Sequence, residues 1–200
     1  MDITSEMVKA LRLKTGAGMM DCKEALKAEN GNPEKAIDYL RKKGMSAATK
    51  RSSKAAKEGT IASYIHMGGR IGVLVEVNCE TDFVAKTDDF QAMARDLAMH
   101  VAASNPRYVR SEEIPTADLE REKEIYRSQL IAEKKPEKIW DKIIEGKLNK
   151  YYEEVCLLNQ KFIKNTDISV GTLVTNMMAK TGENIIVRRF ARFQLGEELG

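Results

Sequence analysis

Along residues 1–44 the apolar positions recur at helical spacing in three short runs. Val8 and Leu11 share one face of the first; Cys22, Ala25 and Leu26 share one of the second; Ala36, Ile37 and Leu40 share one of the third. The punctuation agrees with this division. Thr4 stands where an N-cap accepts a backbone N–H, Glu6 faces the positive end of the same helix, and Gly16 ends it. Asn30-Gly31 stops the second run. Asn32-Pro33-Glu34 predicts the third start, with a cap, a proline at the first position and an acid behind it, and Gly44 is expected to close that helix. From Thr60 the period drops to two. Thr60–His66 and Ile71–Asn78 read as strands on either side of Met67-Gly-Gly-Arg70, a hairpin turn. In the second strand Val73, Val75 and Val77 take one face, and Leu74, Glu76 and Asn78 the other.

Past that strand the alternation stops at Cys79-Glu80-Thr81-Asp82. The next stripe, Phe90, Met93, Ala94, Leu97 and Val101, predicts a helix over residues 88–103, with Asn105-Pro106 breaking it. A long polar helix opens at Ile114-Pro115-Thr116 and carries Leu119, Tyr126 and Leu130. Pro136 interrupts, and Glu137 to Leu158 follows with Trp140, Ile144, Leu148, Tyr152 and Val155 on one stripe, which predicts a helical hairpin around 116–158. Ser169–Lys180 reads as a further helix. Asn184–Leu195 reads as a closing strand whose mixed faces mark a partly exposed edge. The expected class is α+β: a three-helix module over 1–44, a linker over 45–58, and a core domain over 59–200 built on an antiparallel three-stranded sheet with helices packed on it.

Composition narrows the function classes. Two hundred residues that are 42% hydrophobic suffice for one or two small domains with a core, and 32% charged residues with a net charge of only +3 do not call for nucleic acid. No apolar run approaches the ~20 residues of a membrane span. The first residues carry no basic and apolar signal pattern, and Cys22, Cys79 and Cys156 are scattered and odd in number, so reduced thiols in a cytoplasmic protein are expected. The stretch from Arg41 to Lys57 holds seven basic residues and no acid. It reads as a solvated connector, or as a phosphate contact of a ribosome-associated RNA-binding protein. No aromatics are interleaved there to stack on bases.

No catalytic constellation is visible: no nucleophile motif, no glycine phosphate cradle and no metal-ligand cluster. Gly16-Ala-Gly18 does not make a dinucleotide fingerprint, because Asp21 replaces the third glycine and a helix precedes it. His66 and His100 lack ligands at metal spacing, and His100, beside the apolar face of its helix, reads more readily as a satisfied interior histidine. Neither a metal nor a cofactor is expected, and no enzyme. Two features point toward binding instead. Asp82 and Phe83 put a charge and a large aromatic side by side on a short connection; the ring either folds back into the core or stands out as an interface anchor. Met19 and Met20 follow a flexible glycine pair and are either core filler or an adaptable contact.

Four blocks in order carry a resemblance. Thr81-Asp82-Phe83-Val84 after Glu76-Val-Asn-Cys79 resembles bacterial translation elongation factor Ts; so do Leu13 to Leu26, Met45 to Lys57, and Gly182 to Arg189. The resemblance implies a ubiquitin-associated-like fold for residues 1–44 and guanine-nucleotide exchange on elongation factor Tu as the activity. Thr81, Asp82, Phe83 and Val84 would dislocate Mg2+ from the GTPase, with Met19 and Met20 as a further partner contact. Longer members of the family carry two tandem copies of the sheet-plus-helix half. This chain has room for one, so a homodimer is expected to cover the sheet edge left open.

Overall fold

The fold begins with three helices, seen in a computed structural model that describes residues 2–51 and 53–198. Helix α1 (Ser5–Thr15) starts with the Thr4 side chain accepting the Met7 N–H at 3.3 Å and ends at Gly16, whose φ of 67° is left-handed. Helix α2 spans Met19–Ala28 and α3 spans Pro33–Arg51. The predicted cap of α3 is in place: Asn32 Oδ1 accepts from the Glu34 and Lys35 N–H groups at 3.0 and 3.1 Å. The stripes named from spacing meet as expected, since Val8, Leu11, Cys22, Ala25, Leu26 and Ala36 form one buried cluster flanked by Ile37 and Leu40. Lys43 bridges Asp21 and Glu24 at 2.9 and 2.7 Å, and the Glu24 contact first, then Asp21, raises the lysine pKa.

One boundary differs from expectation. Gly44 does not close α3, which continues to Arg51. A Cβ at Gly44 would lie 3.1 Å from the Ala179 Cβ. The glycine is therefore a close-packing position inside the helix. The reading of 45–58 as a basic linker falls partly on residue 52 and on the side chains of residues 45 and 47–51, which lie outside the described residues.

The sheet comprises β1 (Glu58–Ile65), β2 (Ile71–Cys79) and β5 (Ile186–Gln194) in the order β1-β2-β5, antiparallel, with β2 central. Val73, Val75 and Val77 are buried, as the alternation requires. Gly68 and Gly69 both have positive φ (83° and 67°), the hairpin turn that the pair predicts. Gly59 (φ 144°) is the one position in β1 where only glycine fits, because a Cβ there would overlap the Val77 carbonyl. A short α4 (Asp82–Ala85) precedes α5 (Asp88–Ser104). The helical hairpin is α6 (Thr116–Ala132) and α7 (Trp140–Val155), with Leu130 and Ile144 buried and the Trp140 N–H donating to the Lys135 carbonyl at 2.9 Å. A two-stranded ribbon, β3 (Lys161–Phe162) and β4 (Asn165–Ser169), was not predicted; α8 (Val170–Thr181) follows it.

Two compact units result, Met1–Thr60 with Val77–Ala92 and Leu173–Ile186, and Ile61–Glu76 with Met93–Thr172 and Val187–Gly200. The second holds His100, fully buried. Its Nδ1 accepts the Ile163 N–H at 3.2 Å, so Nε2 carries the proton and donates to Gln160 Oε1 at 2.9 Å. Burial lowers its pKa. It is a satisfied core histidine, as one of its two sequence readings held. Among the described residues no helix is long and apolar enough to cross a membrane, and no three His, Cys, Asp or Glu side chains group as metal ligands.

Candidate partner-binding site

The strand β2 ends where its pattern ends, and the chain turns at Thr81 into α4. Thr81 has extended backbone (φ −126°, ψ 154°), and its Oγ1 accepts the Val84 N–H at 3.4 Å, an N-cap on a helix of four residues. So short a helix does not hold itself. It is tied down from outside. Glu183 Oε2 accepts from the Glu80 and Thr81 N–H groups at 3.1 and 3.0 Å, and its Oε1 accepts from the Thr81 hydroxyl at 2.6 Å. Beneath them the Cys79 Sγ donates to the Thr81 carbonyl at 3.1 Å. Burial, then the Glu183 charge, pushes this thiol up to about 11, so it stays protonated and able to donate. Ala85 is buried, and the Gln91 side chain donates to its carbonyl at 2.7 Å.

On this fixed base Phe83 is 80% exposed. Of the two readings open to it in the sequence, the folded-back ring is therefore excluded. Val84 is half-buried beside it. The Asp82 carboxylate takes a 2.6 Å contact from Lys86 one turn on, and that hydrogen bond holds its pKa below the ordinary carboxylate value. Both partners are largely exposed, so the pair is weak and exchangeable.

Met19 and Met20 open α2 after Gly18, which supplies no side-chain cap. Met20 is 75% exposed and Met19 42%. They are not core filler; the cluster beneath is completed by Cys22, Ala25 and Leu26. These two methionines lie on α2, a different element from the α4 turn of Thr81–Val84.

Three residues were missed. Leu13 is 89% exposed near the end of α1; its signal was an apolar residue off the Val8–Leu11 stripe. Lys86 could have been found from its four-residue spacing to Asp82. Glu183 had no local signal, since it meets Thr81 across 102 positions of chain.

The Elongation factor TS family model matches residues 17–197. The chain is 81% identical over 199 residues to elongation factor Ts of Syntrophus aciditrophicus, covering 100% of this chain and 99% of that one. It is 59% identical over 197 residues to that of Heliobacterium modesticaldum, covering 98% and 92%. It is 58% identical over 199 residues to that of Geobacter sulfurreducens, covering 100% and 92%. The matches are to a factor and not to an enzyme, in keeping with a sequence that offers no nucleophile, phosphate cradle or metal cluster. Matched over nearly its whole length, this chain belongs to the elongation factor Ts family.

Proposed function

We propose that the chain is a guanine-nucleotide exchange factor for elongation factor Tu, the GTPase that carries aminoacyl-tRNA in translation elongation. One observation carries this reading: Phe83 stands 80% exposed on a four-residue helix whose base is fixed by buried and hydrogen-bonded neighbours. An exposed aromatic on a stiff support is a hot-spot anchor in waiting, because little ordering remains to be done on binding. Exchange then follows from linkage. A factor that binds the empty GTPase better than the loaded one must weaken nucleotide binding by the same ratio.

Phe83 would enter between packed elements of the GTPase, which shift by discrete steps. Asp82 would leave its exposed Lys86 partner and engage polar groups near the Mg2+ site. Thr81 and Val84 shape the base of the probe. Met19 and Met20 would grip a second surface, with residues 1–44 as the docking module, and their thioether side chains suit a contact that must adapt. On this reading no nucleic-acid contact is needed, and the chain works in the cytoplasm with its cysteines reduced; Cys22, Cys79 and Cys156 are all buried and unpaired. The test is release of fluorescent GDP from elongation factor Tu with this protein added. Phe83→Ala should slow that release sharply while circular dichroism and melting stay as in the wild type; undiminished exchange by the variant refutes the assignment.

We propose further that two copies pair through the sheet. Support comes from an uncovered apolar face. Ile61 and Ile65 on β1, Leu74 on β2 and Phe193 on β5 are all exposed. They alternate with inward residues such as Ala62, Val73 and Val75, and a Cβ on Gly72 would lie 3.1 Å from Ile65 Cδ1 on that outer side. Arg189 reaches Glu76 at 2.7 Å on the same side of β2 as Leu74. A face of this kind is a common dimer seam. Light scattering should give the mass of two chains for the wild type and of one chain for Phe193→Glu; a monomeric wild type ends the proposal.

A further inference from the structure

We propose that Glu183 is the positioning residue of the exchange probe: its carboxylate aims Phe83 by fixing the chain that enters α4. The inference rests on the exchange reading above and adds to it a residue that never touches the partner. Glu183 sits in the turn between α8 and β5. That turn is itself set, because Gly182 has φ 76° and donates to the Met178 carbonyl at 2.9 Å, while the Glu183 N–H donates to Thr181 Oγ1 at 3.3 Å. From there the carboxylate collects three donors, two backbone N–H groups on Oε2 and the Thr81 hydroxyl on Oε1. An ionised carboxylate suits this geometry because it only accepts, and on both oxygens, and its hydrogen bonds are the stronger charge-assisted kind.

The tie is reciprocal. Glu80 Oε1 accepts the Asn184 N–H at 2.7 Å, the peptide group next to Glu183. Glu80 Oε2 meets Lys54 at 3.2 Å, and the buried Asn184 side chain donates to the Lys54 carbonyl at 2.7 Å. Each of two chain segments thus offers a carboxylate to the other's backbone. Two residues beyond this knot stands Phe83. Since α4 is too short to orient itself, the direction of the ring is inherited from Thr81, and Thr81 takes its direction from Glu183.

The experiment uses the full-length chain and elongation factor Tu loaded with fluorescent GDP. Glu183→Ala is expected to lower stimulated release about tenfold, the scale set by losing charge-assisted hydrogen bonds. Glu183→Gln is expected to recover most of the rate, because its amide oxygen can still accept both backbone N–H groups. A purely structural role would not predict the next result. In a Phe83→Ala background, Glu183→Ala should cost less than about twofold, because no ring is left to aim. Equal losses in the two backgrounds overturn the positioning role. Should Glu183→Ala unfold, Glu183→Asp, which keeps the charge but draws it back by one methylene, goes through the same cycle and is judged by the same ratio. Failure of the exchange reading looks different: Phe83→Ala alone then releases GDP as fast as the wild type, and this proposal goes with it.

Discussion

Phe83 and Phe90 stand seven positions apart, and each follows a threonine whose hydroxyl oxygen accepts a backbone N–H at a helix start: Thr81 from Val84 and Thr87 from Phe90, both at 3.4 Å. Yet Phe83 is 80% exposed and Phe90 is fully buried. Local chemistry is nearly the same at the two sites, so it does not decide their fates. Length does. Phe90 heads a stripe that Met93, Ala94 and Leu97 continue down α5, and a stripe has a core to face. Four residues of α4 cannot make a stripe, and the Glu183 and Cys79 contacts hold that turn from below, leaving its ring outside. The buried Phe90 serves stability, and the exposed Phe83 is left free for contact.

That contrast can be broken by substitution. Phe90→Ala should remove ~3–5 kcal/mol of stability, visible as an earlier urea midpoint, by opening a cavity in a close-packed site. Phe83→Ala should leave that midpoint alone and instead weaken binding to nucleotide-free elongation factor Tu by ~2–4 kcal/mol in titration calorimetry. If both variants lose stability alike, the division of labour is wrong. Met20→Ala should cost about 1 kcal/mol of the same binding, with Met20→Leu close to wild type, since the contact asks for adaptable apolar bulk more than for shape. Met19→Ala should cost less, in line with its smaller exposure.

Mild acid should move the contacts least and stability more. The folded pKa of His100 lies below 6.5, so as pH falls through that value the unfolded chain takes up its proton first and the native state loses stability. Urea midpoints of wild type should therefore drop on going below about pH 6.5, and His100→Asn should flatten that drop, while the Phe83→Ala to wild-type affinity ratio stays put.

Much of this was legible. Asn32-Pro33 gave the start of α3, Gly68-Gly69 gave the hairpin, and the α5 stripe was right residue by residue, because each rests on contacts within a few positions. The end of α3 was misread because a glycine after a helical stripe signals both a stop and a close approach, and only Ala179, far along the chain, tells which. The ribbon β3–β4 escaped because its two-residue first strand has no alternation to read. At the site, chemistry singled out Phe83, Met19 and Met20 but left open whether each faces outward, and the Glu183 contacts that fix the Thr81 turn join residues more than 100 positions apart, which no local pattern encodes.

Gly44 carries a mechanical corollary. Helix α3 is a single rod running from the methionine-bearing bundle past α8, and its bare α-carbon lets the two helices ride against each other at Ala179, a few residues before Glu183. The same contact point lies near the end of α8, just before the turn that holds Glu183. A methyl group inserted at Gly44 would meet the Ala179 side chain at 3.1 Å, so α3 or α8 would have to give way there.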